Sequence, residues 1–134
     1  MLQCSNYDIA ELFDIDTSCS YKDGDLVGIC SDGLVRPLNI NIKPIEYVGI
    51  VSLKPQIILG NVDLTKDNKI PIAIAGKKTC WVKGKVTPGR KVTVDYGNYM
   101  FKLHDKVFDH EYNGIIITVK SETEDKCLCD ILLK

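Results

Sequence analysis

Short apolar runs separated by turn residues repeat along this chain from about residue 20 to its end. Such runs, bounded by glycine, proline, asparagine or aspartate, are typical of β-strands joined by tight turns. Val92 and Val94 alternate with Lys91, Thr93 and Asp95, as expected for a strand that is buried on one face. The sequence contains no long helical periodicity and no repeat of solenoid length. The pattern therefore predicts a mostly β protein.

Two dipeptides and one polar segment predict where strands are joined into hairpins. Asp32-Gly33 and Asn113-Gly114 each lie between two apolar runs, and both dipeptides tolerate the positive φ of a two-residue turn. The polar residues 122–125 then turn the chain into a last strand over residues 127–133. We expect hairpins at all three places.

Two further expectations concern less regular parts of the chain. Ile9, Leu12 and Phe13 would share one face of a short helix over residues 8–15, and Ser5 or Asn6 could cap it. Gly76 interrupts the apolar region between residues 70 and 86, which predicts one strand on each side of it.

The length of 134 residues is enough for one domain with a hydrophobic core of its own. We therefore expect a single β domain over residues 1–134, with an N-terminal segment at 1–16 and a β core at 20–134. Short strands at close spacing predict a compact antiparallel barrel or sandwich of hairpins, with at most one short helix.

Charge and composition narrow the function classes. The 17 lysines and arginines nearly balance the 18 aspartates and glutamates, so the net charge of -1 does not favour nucleic acid as a ligand. The apolar runs are far shorter than the roughly 20 residues of a spanning helix. The first residues also lack the basic start and apolar core of a secretion signal. We expect no membrane insertion.

The six cysteines, at positions 4, 19, 30, 80, 127 and 129, include no Cys-x-x-Cys pair. Buried free thiols are the favoured interpretation, because unpaired cysteine packs like a small hydrophobe. One or more disulfides, or a metal site, are the alternatives.

The N-terminal segment contains the residues best suited to chemistry. Ser5 offers a hydroxyl, and Asp8 and Glu11 offer two carboxylates that could act as base and acid in cleavage of the chain itself. Residues three apart meet on one face of a helix, but Asp8 and Glu11 point to opposite sides of a strand. In an extended segment, the acid pair would therefore need a neighbouring subunit. A capped helix without catalytic function is the alternative.

The remaining motifs carry little chemistry. His104 and His110 would lie about 20 Å apart along a strand, so they would not share one metal, and we expect them at the surface. Residues 84–89 do not form a phosphate-binding loop. We expect no cofactor and no metal.

Several segments resemble one protein family when they are read in order. Asp8-Ile9-Ala10-Glu11 resembles the Asp-Tyr-Ala-Glu signature of the C-terminal domains of phage tail spikes, neck appendages and related virus fibres. Residues 24–28 resemble the next strand of that family, and residues 47–55 resemble its segment ending in Val-Ser-x-x-Pro. Residues 71–76, followed by 82–84, resemble its Pro-x-Ala-x-x-Gly and Val-x-Gly segments.

This resemblance implies a trimeric β domain that helps fibre chains assemble as an intramolecular chaperone and is then released by self-cleavage. Asp8 and Glu11 would be the catalytic acids, and the bond after Ser5 would be the cut site. The implied partners are two further copies, an upstream fibre chain or a host receptor, in the virion or in the host cytoplasm during assembly. The alternatives are a non-catalytic structural or receptor-binding virion domain and a small cysteine-rich cytosolic binding protein.

Overall fold

A computed structural model describes residues 7–40, 44, 46–60, 68–105 and 111–134. These residues form strands and turns but no helix, so the predicted mostly β fold is confirmed. The ten strands are β1 (Tyr7–Asp14), β2 (Leu26–Ile29), β3 (Val35–Pro37), β4 (Glu46–Val51), β5 (Ile57–Leu59), β6 (Lys69–Lys83), β7 (Lys91–Asp95), β8 (Met100–Leu103), β9 (Gly114–Glu122) and β10 (Lys126–Leu133).

Five of these strands close into a barrel in the order β6, β10, β9, β7 and β8. A parallel pairing of Val82 with Phe101 joins β8 back to β6 and completes the ring. The barrel encloses the larger hydrophobic core, in which Phe101, Ile116 and Ile131 are almost completely buried. Of the predicted barrel or sandwich, the compact barrel is thereby confirmed; four of its five strand pairings are antiparallel, as expected, and the closing one is parallel.

The other strands extend β6 into a second sheet in the order β5, β1, β6, β4, β2 and β3. A bridge between Ile15 and Val35 brings the end of β1 back to β3, so the sheet curls around a second core. That core consists of fully buried Val27, Val35, Val51 and Ile72. The molecule thus has two cores that share β6.

The helix expected over residues 8–15 is wrong, because this segment is β1. It pairs with β6 on one side and with β5 on the other, and its residues at positions 8 and 10 are buried. Pairing with two strands supplies bonds for the peptide groups of β1 on both sides, and this tertiary context outweighs the weak helical spacing of its apolar residues.

The two strands expected on either side of Gly76 are one strand of 15 residues. Gly76 has a φ of +83° and lies opposite Asp8 in the pairing with β1. A side chain there would run into the backbone oxygen of Tyr7 and come within 3.0 Å of the Cα of Asp8. The glycine therefore permits close approach of two strands and does not end one.

Two of the three expected hairpins are confirmed. Gly33 has a φ of +83° in the turn between β2 and β3, and residues 123–125 connect β9 to β10. The hairpin at Asn113-Gly114 is wrong for the described residues, because Gly114 begins β9; residues 107–110 lie outside them. The Asn113 side chain instead accepts hydrogen bonds from the Val94 N–H and the Thr93 hydroxyl, both at 3.1 Å.

A charged cluster on Arg36 lies beside the second core and predicts acid sensitivity. Arg36 Nε donates to Asp16 at 3.0 Å, and the hydroxyl and backbone N–H of Ser18 also donate to Asp16. These bonds, those from Ser18 first, lower the pKa of Asp16 from 3.8 to about 2.

The contribution of ionised Asp16 to the free energy of unfolding should therefore be complete above about pH 4 and be lost as the pH falls through about 2. Urea unfolding at pH 6, 4, 3 and 2 would measure it. Asp16→Asn should lose less stability over this range than the unmodified chain; equal losses would contradict the prediction.

Candidate functional site

Asp8 is a buried carboxylate on the core side of β1. Its side chain is completely buried, and its neighbour Ala10 lies opposite Ala73 of the larger core. The hydroxyl of Ser52, which is also completely buried, donates a hydrogen bond to Asp8 Oδ2. Asp8 Oδ1 has no hydrogen-bond partner among the described residues. The arrangement leaves one carboxylate oxygen able to accept a proton.

Glu11 lies on the other face of the same strand. It is exposed, and it is paired with Ile72 of the second core on one side and with Leu59 of β5 on the other. One chain therefore does not bring Asp8 and Glu11 together, as expected for an extended segment. Ser5, the third predicted site residue, lies outside the described residues.

A second buried polar group lies beside the Asp8–Ser52 pair. Lys78 is 1% exposed, and its Nζ lies 2.9 Å from both carboxylate oxygens of Asp23. The backbone N–H of Leu53, the residue after Ser52, also donates to Asp23 at 2.9 Å. These residues line a cavity of about 320 Å³. Lys54 also lines this cavity, which therefore combines two lysine side chains with the Asp23 carboxylate.

Sequence reasoning found Asp8 but missed Ser52 and Lys78. Ser52 lies in the segment at residues 47–55 that resembles a fibre-protein motif. The sequence therefore draws attention to this segment, but it does not indicate what the Ser52 hydroxyl does. Lys77-Lys78 is typical of a solvated surface, and no sequence signal marks Lys78 as buried.

The fold of this chain is similar to that of a solved bacteriophage protein. No family model and no curated protein matches this chain. The crystal structure of the bacteriophage phi29 gene product 12 C-terminal fragment matches it with a TM-score of 0.65 and 14% identity, over 95% of this chain and 100% of that fragment. The two share one fold.

The same region is found within a longer chain. The crystal structure of pre-mature bacteriophage phi29 gene product 12 matches with a TM-score of 0.66 and 14% identity. The alignment covers 95% of this chain but 21% of that protein. The present fold therefore corresponds to one part of the longer gene product.

Among the described residues, His104 belongs to no cluster of side chains that could hold a metal ion. His104 is half-buried and its ring lies 6.4 Å from that of Tyr112, so it is less exposed than expected; His110 falls outside the described residues. No helix among the described residues has the length and apolar character needed to cross a membrane.

The cysteine side chains belong mainly to the core. Cys30, Cys80, Cys127 and Cys129 are buried as free thiols, and Cys19 is half-buried. The interpretation of packed thiols is confirmed for these four, whereas Cys4 lies outside the described residues. No cluster of three or more metal-ligating side chains occurs within the described ranges.

Burial predicts that the core thiols react slowly. It raises the pKa of Cys129 to about 11 and that of Cys80 well above its usual range. With iodoacetamide at pH 8, we expect alkylation of Cys19 before Cys80 and Cys129 in the native protein. Peptide mapping by mass spectrometry would measure the order, and fully unfolded protein provides the control. Equal rates in the native protein would contradict the prediction.

Proposed function

We propose that this chain is an assembly domain of a bacteriophage appendage or fibre protein and that three copies associate through it. The observation that carries this proposal is the fold shared with the whole of the phi29 gene product 12 C-terminal fragment. The ordered segments that resemble fibre-protein motifs support it independently. The buried Asp8 of the acidic motif gives the proposal a specific chemistry.

An open sheet edge is the part of the surface best suited to contact a second copy. Of the ten described strands, β5 has a single neighbouring strand, β1, whereas the end of β3 is bridged by Ile15. Ile57 and Leu59 of β5 are 50% and 45% exposed. An exposed apolar edge strand is a template for pairing with another chain. We therefore assign the contact between copies to β5.

The assignment predicts that a charge on β5 prevents assembly. We expect a trimer for the unmodified chain and mainly monomer for Ile57→Lys, because the lysine would have to be buried in the contact. Light scattering coupled to size exclusion measures the mass. Ile117→Lys is the matched control, since Ile117 is 42% exposed on β9 of the barrel.

Two results would count against these proposals. A compact monomer formed by the unmodified chain at micromolar concentration would exclude the assembly function. A trimer that survives Ile57→Lys but not Ile117→Lys would keep that function and move the contact from β5 to the barrel.

The same contact would complete an acid pair for self-cleavage. Glu11 is exposed and lies opposite Leu59 of β5, so it is one strand away from the edge that we assign to the contact between copies. In the proposed reaction, Asp8 of one copy accepts a proton from a water molecule as that water attacks the carbonyl carbon of Ser5. Glu11 of another copy donates a proton to the nitrogen of Asn6 as the peptide bond breaks. The products are a free amine on Asn6 and a carboxylic acid on Ser5, which passes its proton to the carboxylate left on Glu11; the proton taken from the water molecule remains on Asp8 until solvent removes it.

Ser52 has a positioning role in this scheme. Its hydrogen bond to Asp8 Oδ2 fixes the carboxylate and leaves Oδ1 for the water molecule.

The experiment joins a folded carrier domain to Met1 and follows the mass of the chain after folding. We expect two pieces cut after Ser5, and an intact chain for either Asp8→Asn or Glu11→Gln. Mixed trimers of these two variants should regain cleavage, because one interface then combines an intact Asp8 with an intact Glu11. Glu122→Gln, on an exposed residue of β9, is the control.

The outcomes separate the two parts of the proposal. No recovery in mixed trimers, with both single variants inactive, would exclude a pair formed between subunits. Cleavage that persists in Asp8→Asn would exclude the acid mechanism.

A non-catalytic appendage domain is the second candidate. The separation of Asp8 and Glu11 on opposite faces of β1 favours this candidate. A buried aspartate that accepts a hydrogen bond from a serine hydroxyl also has a purely structural use, because buried polar groups are normally hydrogen-bonded. A trimer that never cleaves the joined carrier would support this candidate and retain the assembly function.

A further inference from the structure

Two cysteines face each other across the wall of the barrel. Cys80 of β6 lies directly opposite Cys129 of β10 in the antiparallel pairing of these strands. Both side chains belong to the larger core, where Cys80 is 2% and Cys129 is 0% exposed, and both are free thiols. Neither the acid pair nor the open edge at β5 uses them.

The register places the two thiols within reach of a disulfide bond. Residues directly opposite each other in an antiparallel pair have Cα atoms about 4.5–5.5 Å apart and side chains on the same face. A disulfide needs Cα atoms roughly 4.4–6.8 Å apart, so the existing register already satisfies this requirement. Burial, and after it the nearby Cys129, raise the pKa of Cys80, which also indicates that the two side chains are neighbours.

Cys127, the third thiol of this wall, is less suited to pair with either of them. It lies opposite Val82, and its Sγ donates a hydrogen bond to the backbone oxygen of Gly84 at 3.3 Å. Along β10 it is two residues from Cys129, so their Cβ atoms are about 7 Å apart, against the roughly 3.8 Å of a disulfide. The register therefore selects one pair among the three thiols.

We infer that Cys80 and Cys129 are a redox-sensitive pair, which a small-molecule disulfide such as oxidised glutathione converts to one disulfide bond between β6 and β10. The thiolate of one cysteine attacks a sulfur of the small disulfide, which releases one small thiolate and leaves a mixed disulfide. The thiolate of the other cysteine then attacks the protein sulfur of that bond and releases the second small thiolate. The two cysteines lose two electrons to the small disulfide, and their two protons end on the small thiols.

Burial controls when this exchange takes place. Because both sulfur atoms lie inside the core, they react only while the wall between β6 and β10 is open. The same burial would shield the disulfide from reducing thiols after the wall has closed. The pair would therefore keep the redox state in which the barrel last closed.

The bond would join strands that are neighbours in the barrel but distant along the chain. The covalent loop would run from residue 80 to residue 129 and enclose β7, β8 and β9, the other three strands of the barrel. A loop of this length strongly constrains the unfolded chain, so oxidation should stabilise the folded domain. This inference does not depend on assembly or self-cleavage.

The test refolds the full chain from urea in an excess of oxidised over reduced glutathione. The remaining thiols are alkylated in denaturant, and the unreduced peptides are mapped by mass spectrometry. We expect one main linked peptide, which joins Cys80 to Cys129 and has two hydrogen atoms fewer than the separate peptides. The urea midpoint of the oxidised chain should be at least about 1 M higher than that of the chain refolded with dithiothreitol.

Cys127→Ala is the matched control, because it removes a core thiol from the same strand and keeps the proposed pair. It should form the same linked peptide and show the same shift of the urea midpoint. Cys129→Ala should show no difference between the two refolding conditions.

Three results would overturn the inference. They are a native chain that stays fully reduced in the oxidising mixture, linked peptides that contain Cys127 as often as Cys80, and an oxidised chain whose urea midpoint does not rise. All three are measured on the unmodified chain, so they remain decisive even if a cysteine variant fails to fold.

Discussion

Gly76→Ala is expected to destabilise this protein strongly. The new methyl group would overlap the backbone oxygen of Tyr7 and lie 3.0 Å from the Cα of Asp8. Both contacts are with backbone that is held in register with β6, so no side-chain rotation relieves them. Together with a φ of +83°, we expect a loss of roughly 4 kcal/mol in the free energy of unfolding. Denaturant unfolding followed by circular dichroism would measure it.

Gly84→Ala is the matched control for that substitution. Gly84 has nearly the same backbone conformation, with a φ of +85°, but a side chain there would meet nothing within 4 Å. Its replacement should cost only the conformational penalty of about 1 kcal/mol. Equal losses of stability in the two variants would show that the close contact between β1 and β6 at Gly76 does not stabilise the fold. That result would also count against the buried position of Asp8 on β1.

Asp23→Asn is expected to give the second large effect. The Lys78 side chain is 2% exposed, and the substitution would leave its ammonium group buried without a negative partner. The loss should be about 2 kcal/mol, less than for a fully buried pair, because the Asp23 side chain is 49% exposed. The asparagine keeps an oxygen for the Leu53 N–H, so the loss reports mainly the missing charge.

Lys78→Met provides the control, since it keeps most of the apolar stem and removes the buried charge. We expect a change of less than about 1 kcal/mol in the free energy of unfolding, and the double variant should recover much of the loss seen in Asp23→Asn. If Lys78→Met costs as much as Asp23→Asn, the ion pair itself stabilises the fold and the unpaired charge is not the cause.

The strands that sequence predicts well are those whose pattern is decided by near neighbours. The turn at Asp32-Gly33 and the polar residues before β10 specify their hairpins locally, and Val92 and Val94 alternate as a half-buried strand should. Asn113-Gly114 has the same local signal but a different structure, because the asparagine side chain bonds to β7. A contact with a distant strand outweighs the turn preference there.

Long-range pairing also explains the errors at β1 and β6. Nothing within residues 8–15 reveals that β5 and β6 flank them, and the spacing of Ile9, Leu12 and Phe13 fits a helix. Gly76 is typical of a break in a strand, yet here it allows two strands to approach. Both elements depend on partners roughly sixty residues away along the chain.

The sequence predicts only part of the candidate site, because its contacts also join residues that are distant along the chain. Asp8 and Glu11 stand in a recognisable acidic motif, whereas the Asp8–Ser52 bond joins residues 44 positions apart. The pairing of Lys78 with Asp23 spans 55 positions. Residue types suggest chemistry, but only the folded chain decides which of them meet.

The long strand β6 has a consequence for how the molecule opens. Its first half borders the second core and its second half belongs to the barrel, so neither core has a complete sheet without it. Local fraying of one core would therefore weaken the other, and the amide protons of both should exchange with solvent in a single cooperative event. A domain of this kind would resist proteases as a unit and, once opened, would be degraded as a unit.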